Sequence, residues 1–293
     1  MKKIIGLLLV ILFFSACQTD KKESIQIGAI LPLSGDVAVY GKSLQNGMNL
    51  ALDEYHKHNP DGMKVRIIYE DSKADPKLAV SSFEKLSAIN KCKLVLGGFS
   101  SSEVLSIAPI AEKNRIVLIS PTASSPSITT AGDYIFRTTP SDNFDGGIMS
   151  KFVFNNLNLR NVAILFINND YGHGIANIFK EKFEKFGGKV VIEKSFESGT
   201  KDFKTQLITI KDKHPDGLYI IAASELGNIL RQKAELALNV EVFTVGLAEN
   251  PKVIEIAGKG ADNVFYSYPS FQVNSDNKIV QKFVTDYKNK YGN

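Results

Sequence analysis

The 293 residues carry 35 Lys and Arg against 31 Asp and Glu, a net charge of +4, with 44% hydrophobic residues and two cysteines. Basic and acidic side chains are interspersed, without the clustered stripe that a phosphate backbone demands, which excludes nucleic acid as a partner. A chain of this length outgrows a single hydrophobic core, so two domains are expected.

The chain opens MKKIIGLLLVILFFSAC, two lysines followed by an apolar run from Ile4 to Phe14. The run is shorter than the roughly 20 residues that span a bilayer, so residues 1–17 read as a signal peptide rather than a permanent span. Phe14-Ser15-Ala16-Cys17 resembles a bacterial lipobox, with Phe14 in place of the commoner leucine. Cys17 is therefore expected to be acylated and to hold the protein on a membrane surface without crossing it. Residues 18–24 are polar and read as a tether. Loss of Lys2 and Lys3 with the signal would leave a charge of about +2. Cys92, just before an apolar strand, would then be alone, and no disulfide is expected.

From Ser24 onward, short apolar β-rich runs alternate with amphipathic segments. SIQIGAIL precedes a helix over Lys42 to His58, KVRIIYE a helix over Pro76 to Ile89, and KLVLGG a helix over Glu103 to Lys113; RIVLIS closes the set. Leu44, Met48, Ala51, Leu52 and Tyr55 recur at three- and four-residue spacing and so share a helix face. SPTASSPSITTAGDYIFRTTPSD, rich in Ser, Thr and Pro, reads as the connection between two lobes. The alternation restarts at NVAILFI, with helices over Gly174 to Phe186, Asp202 to Lys211 and Leu226 to Leu238 between the runs KVVIEKSF, GLYIIAA and EVFTVG. VFYSYPSF carries the chain back, and a last helix spans Asn277 to Lys290. Apolar strands joined by helices predict an α/β fold of parallel sheets with right-handed crossovers. The expected division is 25–138 with 268–293 as lobe 1, and 139–267 as lobe 2.

Seven stretches then support a resemblance. GAILPLSGDVAVYG (Gly28–Gly41), YEDSKADPKLAV (Tyr69–Val80), LGGFSSSEV (Leu96–Val104), ISPTASSPSIT (Ile119–Thr129), NNDYGHG (Asn168–Gly174), ELGNILRQ (Glu225–Gln232) and IAGKGADNVFYSYPSF (Ile256–Phe271) occur in the order found in one family. The chain resembles the type I periplasmic binding proteins of branched-chain amino-acid ABC transporters. The resemblance implies two Rossmann-like lobes joined by hinge crossovers and closing on a solute, with no cofactor and no catalysis. It implies an extracytoplasmic, monomeric protein that hands an amino acid or analogue to an ABC permease and ATPase complex. Family members usually continue for some tens of residues past the equivalent of Asn293, so a C-terminally truncated chain is expected. A disulfide that some members place at the positions of Ala74 and Ser100 is absent.

A zwitterionic amino acid needs donors for its carboxylate and acceptors or an anion for its ammonium. The resemblance gives the carboxylate to Ser101 and the ammonium to the Thr122 carbonyl, with the Ser124 hydroxyl touching both ends of the zwitterion. It lines the cleft with Tyr40 and Tyr171, one from each lobe, and makes Glu249 the counter-charge with a register open by one or two residues. The residues alone offer a plainer reading of the first stretch, because Ser100 and Glu103 form an S-x-x-E capping box. Ala222 and Ala223 stand where amino-acid binders can have tyrosine, which leaves room for a bulkier solute. His56, His58, His173 and His214 lack a metal-ligand spacing. No GxGxxG after a strand, P-loop or G-x-S-x-G elbow occurs. A regulatory lipoprotein using the same clamp for sensing is the alternative function.

Overall fold

The computed structural model describes residues 24–268 and 271–292. Cys17 and the segment read as signal and tether up to Glu23 lie outside the described residues.

Two five-stranded sheets form, each wholly parallel. The first runs β2-β1-β3-β4-β5. It is built from β1 (Ser24–Leu31), β2 (Lys64–Asp71), β3 (Leu94–Gly97), β4 (Val117–Ser120) and β5 (Ile135–Arg137). Helices α1 (Ala38–His58), α2 (Pro76–Glu84) and α3 (Ser101–Asn114) join them in turn. After α4 (Asp142–Asn155) the second sheet runs β10-β9-β8-β6-β7. Its strands are β6 (Asn161–Ile167), β7 (Lys189–Phe196), β8 (Gly217–Ile221), β9 (Glu241–Thr244) and β10 (Val264–Tyr266). Helices α5 (Asp170–Lys185), α6 (Lys204–Lys211), α7 (Leu226–Glu235) and α8 (Pro251–Ala257) connect these. A final helix, α9 (Lys278–Tyr291), lies against α1, where Asn46 donates to the Tyr287 hydroxyl, Lys282 pairs with Glu54 at 2.9 Å, and Lys290 pairs with Asp53.

Burial follows from strand position. β6 and β8 are covered on both faces and buried along almost their whole length, while the edge strands β2 and β7 are mostly half-buried. Along β6, Ala163, Leu165 and Ile167 face one core with Phe203, Leu207 and Ile229, whereas Val162, Ile164 and Phe166 face another with Phe179 and Phe243. That is the period of two expected of a strand between two helical layers. The first lobe packs Phe83, Leu86, Val95, Val104, Ile107 and Leu118 into its own core, where Cys92 is fully buried and free.

Three expectations need correction. α1 begins at Ala38 rather than Lys42, and α5 at Asp170 rather than Gly174, because Asn169 caps α5 by accepting from the Gly172 amide at 2.9 Å. Glycines that read as loop thus fall inside the first helical turn. The stretch read as a lobe connection contains β5, and α4 follows it. α4 packs on α5 through Gly146, where a Cβ would come within 3.0 Å of Ile178 Cγ2, so no apolar stripe announces it. Among the described residues no helix is long and apolar enough to cross a membrane.

Candidate functional site

In an open parallel sheet the crevice lies beyond the carboxyl ends of the strands, where the strand order reverses direction. The reversal falls between β1 and β3 in the first sheet and between β6 and β8 in the second. The residues that follow those four strands are therefore the first candidates for a site.

After β3 the backbone turns through Gly97 (φ 122°) and Gly98 (φ 74°). A Cβ on Gly97 would lie 2.0 Å from the Ile30 carbonyl oxygen, so only glycine lets β3 and β1 approach this closely at the turn. Ser100 then caps α3. Its hydroxyl accepts from the Glu103 amide at 3.2 Å, and the Glu103 carboxylate accepts from the Ser100 amide at 2.6 Å. The capping box read from the sequence is complete. Burial raises the pKa of Glu103, opposed by hydrogen bonding from Ser72 and Ser100.

Ser101, the first residue of α3, is buried, and its hydroxyl oxygen accepts from the Ser125 amide at 3.1 Å. The oxygen is engaged, while the hydroxyl hydrogen and the amides of Ser101 and Ser102 remain available as donors, the Glu103 amide being taken by the cap. The loop after β4 is stapled to the same turn: Ser120 donates to the Gly98 carbonyl and Thr122 to the Phe99 carbonyl, each at 2.7 Å. Arg137 at the end of β5 donates to the Ser124 and Ser125 carbonyls at 3.1 and 2.7 Å. These bonds hold Ser101, Thr122 and Ser124 as one constellation at one end of the first lobe.

After β1, the Asp71 carboxylate accepts from the Leu33 amide at 2.9 Å and the Ser34 hydroxyl at 2.5 Å. Burial opposes ionisation there, yet the bonds from Ser34, Lys73 and Leu33 outweigh it and hold the pKa below the usual carboxylate range. The loop so fixed leads into the first turn of α1, where Tyr40 stacks on Phe99 with ring centroids 6.1 Å apart.

The second lobe meets this surface. Asp170, at the start of α5, accepts from the Ser102 hydroxyl at 2.6 Å, and Asn250 donates to the Tyr40 hydroxyl at 2.7 Å. Tyr171 is half-buried and packs against both second-lobe cores. At the end of β8, the buried Glu225 accepts from the Gly199 amide at 2.8 Å and the Ala223 amide at 3.3 Å, which fixes the loop containing Ala222 and Ala223. Glu249 is not brought to this constellation. It is exposed and accepts from the Tyr266 hydroxyl at 2.7 Å, while its neighbour Asn250 is the residue that reaches Tyr40.

A group of polar residues missed in the sequence lies beside Ser124 and Tyr171. Asp142, the first residue of α4, is buried at 3% exposure, and its Oδ2 has no partner among the described residues. Its amide donates to the Ser124 carbonyl at 2.9 Å. Burial raises its pKa to about 7, opposed by the Ser124 hydroxyl beside it. Burial also raises Asp145, opposed by the Ser267 hydroxyl, and burial first, with both carboxylates adding to it, pushes the Tyr171 and Tyr219 hydroxyls well above their ordinary values. The Tyr219 hydroxyl is likewise buried without a partner among the described residues. The available signal was the S-D-x-x-D spacing at Ser141 to Asp145, but acids in a first helical turn ordinarily mean only a favourable helix dipole.

Two doubly wound parallel lobes of this strand order form the type I periplasmic binding protein fold. The chain belongs to the periplasmic binding protein family, whose model matches residues 24–293. It is 28% identical over 262 residues to the leucine-, isoleucine-, valine-, threonine- and alanine-binding protein of Pseudomonas aeruginosa, covering 88% of this chain and 70% of that one. The isoleucine complex of a branched-chain amino acid transporter substrate binding protein from Streptococcus pneumoniae superposes with a TM-score of 0.81 at 28% identity, over 92% of this chain and 78% of that one. A solute binding protein of an ABC transporter from Rhodopseudomonas palustris, in complex with 3,4-dihydroxybenzoic acid, gives 0.77 at 26% identity over 92% and 74%.

Proposed function

We propose that this chain is the extracytoplasmic solute-binding component of an ABC importer and captures an amino acid or a close analogue between its lobes. The observation that carries the reading is the pairing of a donor-rich first-lobe turn with a buried, incompletely bonded carboxylate in the second lobe. A zwitterion complements that pairing at both ends, whereas a simple aromatic acid complements only the donors. Ser101 serves the solute carboxylate, Thr122 and Ser124 the ammonium side, and Tyr40 and Tyr171 close over the apolar remainder. Glu249 stays a candidate only if the crevice rearranges around the solute. The partners in this reading are an ABC permease and its ATPase, with no nucleic acid and no cofactor. A monomer suffices, since both lobes of the clamp come from one chain.

A thermal-shift screen of L-amino acids, their amides and substituted benzoates tests the solute class. A solute at a hundred times its Kd stabilises the protein by about 2.7 kcal/mol. An L-amino acid should give the largest rise in melting temperature; a rise confined to benzoates would replace amino-acid capture with aromatic-acid capture. Acylated Cys17 would hold the clamp at the membrane. Accordingly, Cys17→Ala should move the protein from the membrane fraction to the soluble one and remove the acyl mass; unchanged detergent partitioning would refute the anchor.

A further inference from the structure

Gly174 follows Asp170 by one helical turn on α5, so the two residues share a face of that helix. Asp170 turns this face to the first lobe: its carboxylate accepts from the Ser102 hydroxyl at 2.6 Å, and its amide donates to the same oxygen at 3.2 Å. Gly174 meets the first lobe as well. A Cβ there would lie 3.1 Å from Pro126 Cδ, 3.2 Å from Ser125 Oγ and 3.6 Å from Ser125 Cβ, and these are the three atoms it would meet first. The neighbouring Gly172 gives the contrast. A Cβ at Gly172 would lie 1.9 Å from the Ile167 carbonyl oxygen, so the junction of β6 with α5, within one lobe, requires glycine there. Gly174 has ordinary helical backbone without positive φ. Glycine inside a helix is less stable than alanine. The side chain is thus missing at a cost to α5, and the atoms it would strike belong to the opposite lobe.

The surface that Gly174 meets is held firmly. Ser125 is buried, its amide donates to the Ser101 hydroxyl oxygen at 3.1 Å, and its carbonyl accepts from Arg137 at 2.7 Å. Pro126 opens a short 3-10 turn, Pro126–Thr130, that plants Ile128 in the first-lobe core, and its ring fixes φ. Ser101 and Ser124 belong to the same stapled unit, and Tyr171 lies between Asp170 and Gly174 on the facing turn.

We infer that Gly174 sets how closely the lobes approach: its bare backbone lets the first turn of α5 seat on Ser125 and Pro126, and a side chain at 174 holds Tyr171 away from Ser101 and Ser124, weakening solute capture while strengthening α5. The inference rests on the proposed capture between the lobes and names the contact that limits it. The two effects have opposite signs, which separates this role from the others a glycine can have. A glycine required by the fold loses stability and affinity together when replaced, and a glycine without a role gains stability alone. The size of the side chain grades the effect. Alanine needs its neighbours to give by a few tenths of an ångström. Leucine, also a good helix former, extends farther along the same vector and should part the lobes by about 2 Å or more. Overpacking of this kind weakens the seated state by about five- to a hundredfold.

The test compares Gly174→Ala, Gly174→Leu, Pro126→Ala and the Gly174→Ala/Pro126→Ala pair in the full chain. Three measurements are made: the unliganded melting temperature, calorimetric titration with each proteinogenic L-amino acid, and pulsed electron-spin distances between labels at Asp36→Cys and Ser198→Cys. Asp36 and Ser198 are exposed and follow β1 and β7, while the native Cys92 is buried and stays unlabelled. Gly174→Ala should melt no lower than wild type yet bind its amino acid about fivefold more weakly, and Gly174→Leu should lose about a hundredfold. The labels in Gly174→Leu should stand about 2 Å or more farther apart than in wild type, with and without amino acid. Pro126→Ala removes the Cδ that alanine would strike, so it should restore most of the affinity lost in Gly174→Ala. If Gly174→Leu does not fold, Gly174→Ala and its pairing with Pro126→Ala decide. Wild-type affinity in Gly174→Leu, unchanged label distances, a Gly174→Ala that melts well below wild type, or no restoration by Pro126→Ala overturns the inference and leaves amino-acid capture standing. Failure of every amino acid to bind wild type at millimolar concentration overturns amino-acid capture instead, and the label distances without solute then decide on Gly174.

Discussion

Ser100 and Ser101 are adjacent hydroxyls with different duties, and the structure makes them separable. Ser100 only caps α3, so Ser100→Ala should lower stability by about 1 kcal/mol and leave solute affinity near wild type. Ser101 carries a second load that the sequence did not reveal, because its oxygen is the acceptor for the Ser125 amide. Ser101→Ala strands that amide, which should cost roughly 1–3 kcal/mol of stability. It also removes the donor proposed for the solute carboxylate, for a further tenfold or more in affinity. Melting temperatures with and without solute, read alongside calorimetry, separate the cases. Ser100→Ala should melt early yet keep its solute-induced shift, whereas Ser101→Ala should lose both. An intact solute affinity in Ser101→Ala would make the residue purely structural. At this scale the sequence disclosed groups whose role is local, such as the cap and the paired glycines. It hid Asp142, whose meaning depends on Tyr171 and Tyr219, brought to it by other elements of the fold.

Among the elements, those with strong periodicity were readable, and those shaped by close backbone approach were not. β6 and β8 are continuous apolar runs because helices cover both faces. β5 is three residues inside a Ser/Thr-rich stretch, and α4 leaves Phe144 and Ile148 exposed while packing through Gly146, so neither shows its expected period. Gly97 shows the same dependence on close approach at the point where β3 delivers the site. Gly97→Ala would place a methyl 2.0 Å from the Ile30 carbonyl oxygen, in a conformation at φ 122° that L-residues avoid. The β1–β3 junction must part to accept it. The expected loss is at least about 3 kcal/mol, large for one methyl group, together with weakened solute binding, since Ser101 rides on the displaced turn. Chemical denaturation of Gly97→Ala beside Gly47→Ala gives the control, because a Cβ at Gly47 meets nothing within 4 Å and alanine favours the helix. Equal midpoints would show that the junction yields without cost.

At the scale of the whole molecule, function depends on how the two lobes meet. Among the described residues two side-chain pairs join them, Ser102 with Asp170 between the first turns of α3 and α5, where the Ser102 hydroxyl donates to the carboxylate and accepts from the Asp170 amide, and Asn250 with Tyr40 between the start of α8 and the first turn of α1. Both link helix N-termini, so the Asp170 carboxylate also lies against two positive dipole ends. Each pair contributes about 1 kcal/mol net to the joined state, and losing both should shift the open-to-closed ratio about thirtyfold. Ser102→Ala with Tyr40→Phe removes the two hydroxyls while keeping the capping residues Ser100 and Asn250 and the Tyr40 ring. Small-angle scattering of the unliganded double variant should give a larger radius of gyration than wild type. Saturating solute should return both proteins to the same compact value, because the solute supplies contacts that exist only when the lobes meet. Affinity should fall by the same factor that opening gained, with association nearly unchanged and dissociation faster. Identical scattering from wild type and variant without solute would mean that the two pairs follow closure and do not help set it, leaving the chain crossings between the lobes as the elements that hold the clamp.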